Sequence, residues 1–214
     1  MDRSYQNQIA LIGGTGKVGR HLASKALEHG YRVRMLVRNP QKLSFRDDRI
    51  EILEGSVQNP DSIRQLLTGC HIVVNAFGQP MKDTPIYSSV TQQILATMTE
   101  MHIRRYIGVT GGSLNLEGDN KGLLNRIGAK MFELFYSEMI QDKKKEVEIL
   151  RQHPHLDWTL IRLPFVVEGP EWGGIKESLT DLPGLKMTNQ DIAHFLMNQV
   201  DDKTYIHQTP FIAT

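Results

Sequence analysis

Cysteine is nearly absent from this sequence. The single Cys70 has no partner for an intramolecular bridge, which excludes a disulfide-stapled scaffold and fits a reducing compartment. It reads as a small buried or half-buried residue. No apolar run approaches the ~20 residues of a membrane-spanning helix. The first eight residues are polar and lack the apolar stretch of roughly 7–15 residues that marks a secretory signal. Neither charge sign is in excess: 25 Lys and Arg stand against 24 Asp and Glu, a net charge of +1 with histidine neutral. Overall charge therefore argues neither for nucleic acid nor for disorder. No histidines and carboxylates stand at metal-ligand spacing, so no metal is expected. These absences lead to the expectation of a soluble, cytoplasmic protein with no nucleic-acid and no membrane partner.

What is present is a globular balance. The 214 residues are 40% hydrophobic and 23% charged, enough for a full core, and one domain over residues 1–214 is expected. Short apolar runs read as strands at Ile9–Ile12, Tyr31–Val37, Ile50–Leu53, Ile72–Ala76, Tyr106–Thr110 and Trp158–Ile161. Helical stripes lie between them: Val18, Leu22, Ala26 and Leu27; Ile63, Leu66 and Leu67; and the segment from Pro85 to Met101. A further stripe of Ile127, Met131, Leu134, Phe135 and Met139 is expected to pack in the core. Asp142–Gln152 continues it, with Lys143-Lys144-Lys145 on a solvated face, and Thr188 begins the last helix. Strand–helix alternation of this kind predicts an α/β protein with a Rossmann-type doubly wound parallel sheet.

Gly13-Gly14-Thr15-Gly16-Lys17-Val18-Gly19 follows the first strand and opens the first helix. In that place a glycine bends the turn, Gly16 lets backbone approach a phosphate, and Gly19 allows helix to pack on strand. The helix N-terminus then offers free N–H groups to an anion. The spacing is G-x-x-G-x-x-G rather than G-x-G-x-x-G, and it points to a dinucleotide. An NAD site wants a carboxylate at the end of the second strand for the ribose 2′-hydroxyl. Here that place holds Val37-Arg38-Asn39, and the nearest acids, Asp47 and Asp48, come a loop later. A guanidinium there attracts a 2′-phosphate, with Lys42 in reach to assist, so NADP(H) is the expected cofactor.

With the glycine loop, Val37-Arg38-Asn39-Pro40 and the Gly55-Ser56-Val57 turn, the chain resembles an atypical short-chain dehydrogenase/reductase. It is similar to the NAD(P)H-binding branch that includes NmrA-like proteins and the biliverdin reductase B/flavin reductase group. Asn75-Ala76-Phe77-Gly78, Thr110-Gly111-Gly112-Ser113-Leu114, Leu156–Pro164 and Asn189-Gln190-Asp191-Ile192-Ala193 extend the likeness from Ile9 to about Val200. The resemblance implies Gly13, Thr15, Gly16, Lys17 and Val18 along the pyrophosphate and Arg38 at the 2′-phosphate. It implies Ser56 and Val57 at the adenine, Ala76, Phe77 and Gly78 along the riboses, and Pro164 and Phe165 behind the nicotinamide.

The departures bear on chemistry. Ordinary members use a Tyr-x-x-x-Lys pair in which lysine lowers the tyrosine pKa for proton transfer to a carbonyl. Aligning Lys144 with that lysine puts Ile140 at the tyrosine, Tyr136 is a turn too early, and Gly111 stands at the supporting serine. Flavins and quinones accept hydride at a conjugated ring and take a proton from solvent, so positioning suffices for them. The hydroxyls of Thr110 and Ser113 are candidates to orient a ring oxygen or the carboxamide, or else bond only within their loop. An NADPH-dependent reductase of a small conjugated acceptor is one reading. A non-catalytic nucleotide sensor of the NmrA-like type is the other, and the short stretch after the final helix favours the reductase.

Overall fold

The computed structural model describes residues 8–43 and 47–214. The chain opens with β1 (Gln8–Ile12), α1 (Gly19–Glu28), β2 (Arg32–Val37), β3 (Ile50–Glu54), α2 (Pro60–Leu67) and β4 (Ile72–Asn75). It continues through α3 (Tyr87–Glu100), β5 (Arg105–Gly111), α4 (Leu123–Phe135), α5 (Ser137–Arg151) and β6 (Asp157–Leu163). Three short strands follow, β7 (Phe165–Val167), β8 (Lys176–Ser178) and β9 (Lys186–Thr188), then α6 (Asn189–Asn198) and β10 (Phe211–Ala213). The main sheet runs β3-β2-β1-β4-β5-β6-β10-β8, parallel throughout except for the antiparallel edge strand β8. β7 and β9 pair in parallel apart from it. The order reverses between β1 and β4, which opens a crevice at their carboxyl ends.

Side chains alternate across the pleat and feed two cores. On one face Ile9, Leu11, Val33 and Ile107 meet Leu22 and Ala26 of α1 and Ile192 and Leu196 of α6. On the other, Ala10, Ile12, Val73 and Tyr106 meet Leu66 of α2, Ile94 of α3 and Val147 of α5. Cys70 is buried here, its thiol donating to the Leu66 carbonyl at 3.3 Å. Local chemistry sets the helix starts. Asn59 accepts the N–H of Asp61 with Pro60 at the first position of α2, and Thr188 accepts the N–H of Asp191 ahead of α6.

Two expectations are corrected. The stripe from Ile127 to Phe135 is not core: Ile127, Met131, Leu134 and Phe135 are exposed, and the helix breaks at Tyr136 (φ −132°). Only Met139, which falls in α5, is buried. The lysine run is not uniformly solvated either. Lys143 is buried with its ammonium 3.7 Å from the Tyr87 ring centroid, while Lys144 reaches Glu133 at 2.7 Å. Periodicity locates an apolar face without saying which way it points.

Candidate functional site

The loop after β1 is held by a backbone contact that leaves no room for a side chain. Gly13 has φ +78°, and a Cβ there would lie 2.3 Å from the carbonyl oxygen of Ala76. The β1–α1 turn therefore sits directly against the loop that follows β4. A Cβ on Gly19 would come 2.1 Å from the Gly13 carbonyl, so the first turn of α1 also packs on this loop. The α1 entrance has no side-chain cap and no acid in its first turn, so the positive end of the helix dipole faces an anion unopposed, although the Arg20 and His21 N–H groups already bond to Gly16 and Val18. Asn189, buried at the start of α6, donates to the Lys17 carbonyl at 3.1 Å and fixes the loop from behind.

A cleft of about 680 Å³ runs along these loops. Gly13, Thr15, Gly16, Lys17, Val18, Arg38, Ser56, Val57, Ala76, Phe77 and Gly78 all line it. Leu36, Gln58, Gln79, Val109 and Val166 add to its walls. Pro164 and Phe165 do not line it: Pro164 is buried and Phe165 is 75% exposed. Thr110 and Ser113 do not line it either; Val109 is the β5 residue that does, and the pleat turns Thr110 to the opposite face. The Thr110 hydroxyl is buried without a hydrogen-bond partner. The side chain of Lys42 lies outside the described residues.

The lining fits a dinucleotide phosphate. Its charged side chains are Lys17, Arg38 and a single acid, Asp83. A Cβ on Gly78 would meet nothing within 4 Å and one on Gly16 only the Gly13 carbonyl, so a side chain at either would project into the cleft. Asp47 does not compete for the Arg38 position. Arg49 grips it at 2.9 Å and holds its carboxyl down at about 2. Among the described residues no group of three or more His, Cys, Asp or Glu is placed to hold a metal.

The cleft loop rests on a buried hydrogen-bond chain that sequence reading missed. Asn75 accepts the N–H of Phe77 at 3.1 Å and donates to the Tyr106 hydroxyl at 2.9 Å. Thr91 lies 3.4 Å from that hydroxyl and donates to Glu146 at 2.8 Å. Burial pushes the Glu146 carboxyl up, against the pull of Lys143 and Thr91, and the same burial pushes Lys143 down. The only advance signal was the spacing Lys143 to Glu146 within a helix, indistinguishable from a surface pair. On α5 the buried lysine is Lys143, which puts Met139 four residues before it. No tyrosine lies within α5.

Comparison with known proteins agrees with this geometry. The NAD(P)H-binding family model matches residues 13–203. The photosystem II assembly factor Ycf39 of Cyanophora paradoxa is 37% identical over 68 residues, 31% of this chain and 21% of its own length. A ceramide reductase of Caulobacter vibrioides is 32% identical over 71 residues, 33% of this chain and 22% of its own length. The match thus spans about a fifth of these curated relatives. A short-chain dehydrogenase/reductase of Veillonella parvula solved with NADP superposes with a TM-score of 0.76 at 19% identity, covering 97% of this chain and 94% of that one. That likeness is one of fold. With the matched residues taking in the whole cleft, the chain belongs to the NAD(P)H-binding family.

Proposed function

We propose that the protein is an NADPH-dependent reductase that passes hydride to a small conjugated acceptor, a flavin or quinone, without a side-chain acid of its own. The observation that carries this reading is that neither the cleft lining nor α5 holds a tyrosine to donate a proton. Bound NADPH supplies the hydride; the chain supplies position. The α1 N-terminus and Lys17 hold the pyrophosphate, Arg38 the 2′-phosphate, and Ser56 and Val57 flank the adenine. Ala76, Phe77 and Gly78 follow the riboses, whereas Pro164, Phe165, Thr110 and Ser113 stand off the cleft wall and take no part in this reading. Holding donor and acceptor in register is itself worth several orders of magnitude in rate.

The ceramide reductase among the relatives supports reductase chemistry, and the buried Cys70 suits a reducing, cytoplasmic setting. The test is NADPH consumption against flavins, quinones and small aldehydes. Turnover with flavin or quinone supports the reading. Tight NADPH binding with no oxidation by any of them supports instead a nucleotide-responsive regulator.

A further inference from the structure

Helix α4 is turned inside out. Leu123, Leu124, Ile127, Met131, Leu134 and Phe135 are 48–83% exposed. At 3.6 residues per turn they form one continuous arc directed away from the protein. The opposite side, Ala129 with half-buried Asn125 and Phe132, packs inward. Polar contacts at both ends set this rotation. Asp181 accepts the Gly122 N–H at 2.9 Å and the Asn125 amide at 2.8 Å, and Glu133 accepts Lys144 at 2.7 Å. Residues 125 and 133 are eight apart and so share a face, which commits the apolar arc to the outside.

The patch extends beyond the helix. Asn125 also donates to the Leu182 carbonyl at 3.1 Å, and the neighbouring Leu179 and Leu185 are exposed. Leu182 in turn lies against Gly112, just past the carboxyl end of β5. Exposed apolar surface this concentrated marks an interaction site.

The charges on α4 select the occupant. Arg126 and Lys130 are exposed along one border of the arc, and the helix's one acid, Glu133, is already taken by Lys144. Asp181 beside it is engaged by the Gly122 N–H and the Asn125 amide, so two copies meeting through this face would bring neither carboxylate free to answer those cations. An anionic lipid surface answers both features, with apolar side chains reaching the acyl boundary and cations at headgroup depth.

We propose that α4 is a peripheral docking helix that lays its Leu123–Phe135 arc on an anionic bilayer. This departs from the expectation of no membrane partner, which rested on the absence of a spanning run; a helix lying in the interface needs none. The proposal does not depend on which acceptor is reduced.

The test is co-sedimentation of the full chain with vesicles of equal parts phosphatidylglycerol and phosphatidylcholine, and with phosphatidylcholine alone. Binding is expected only to the mixed vesicles and is expected to weaken as salt is raised. Leu124→Glu should weaken it at least ~10-fold, and Lys130→Glu roughly fivefold or more. Both variants should keep the parent's circular dichroism and NADPH affinity, because neither residue packs in the core. Failure to sediment with the mixed vesicles overturns the proposal. So does a lipid-free dimer, seen by sedimentation velocity, that Leu124→Glu dissolves.

Discussion

Asn75 accepts the backbone N–H of Phe77 at 3.1 Å, so a side chain at the end of β4 sets the loop that lines the cleft. Its amide is held in turn by Tyr106, and Tyr106 by Thr91, in a chain that ends on Glu146. Asn75→Ala removes both bonds and leaves the Phe77 N–H without its acceptor. We expect a stability loss of about 1–3 kcal/mol in urea denaturation, and NADPH binding weakened roughly fivefold or more, about 1 kcal/mol. Unchanged affinity would show that the loop keeps its course without the support.

Glu146 gives a prediction in pH. Burial holds its folded pKa above the ordinary 4.5, whereas the unfolded chain releases the proton near that value. Between the two pKa values the folded state binds more protons, so stability falls as pH rises through that window. Glu146→Gln keeps an acceptor for Thr91 and has no proton to lose. The variant's advantage over the parent should be small at about pH 4 and grow steadily toward neutrality. A difference that does not change with pH would contradict the buried, proton-holding state.

The glycines divide into two kinds. Gly13 combines φ +78° with a 2.3 Å approach to the Ala76 oxygen, so Gly13→Ala should destabilise the fold by at least ~2 kcal/mol. Gly16 faces the cleft, so Gly16→Val should retain the parent's circular dichroism and lose NADPH binding. Calorimetry and thermal melts separate the two. Equal stability losses would merge them into one structural role.

Arg38 lines the cleft just past β2, and the proposed reading assigns it to the 2′-phosphate. Arg38→Ala should weaken NADPH binding at least ~10-fold, about 1.4 kcal/mol, and leave NADH affinity as it was. Equal affinities of the parent for the two nucleotides would remove the basis for this assignment.

The parts legible in the sequence are those where a local rule and the fold agree. β1, the glycine turn and α1 follow one another within the 21 residues from Gln8 to Glu28, so strand, loop and anion site announce themselves together. Arg38, Ser56 and Ala76–Gly78 could be placed on the cleft because they stand at the ends of strands that alternation locates. What stayed hidden depends on orientation or on partners distant in the chain. The α4 stripe has the period of a core helix, yet Asn125 and Glu133 turn it outward through Asp181 and Lys144, 56 and 11 residues away. Lys143 sits in a run of three lysines, and only the packing of α5 on α3 buries it. β7 to β10 are three residues each, too short to show a period.

The central claim is that hydride transfer here proceeds without an acid from the chain. It is tested most directly by the rate of NADPH oxidation with a flavin or quinone acceptor, compared between the parent and Tyr136→Phe. Tyr136 is the tyrosine adjoining α5, and its ring packs on Phe132 at 4.7 Å. The account predicts turnover in the parent and a variant rate within a few-fold of it, since a true general acid is worth ~10²–10⁴. A loss of ~10³ in Tyr136→Phe, or a parent that binds NADPH and oxidises none of it, would contradict the account.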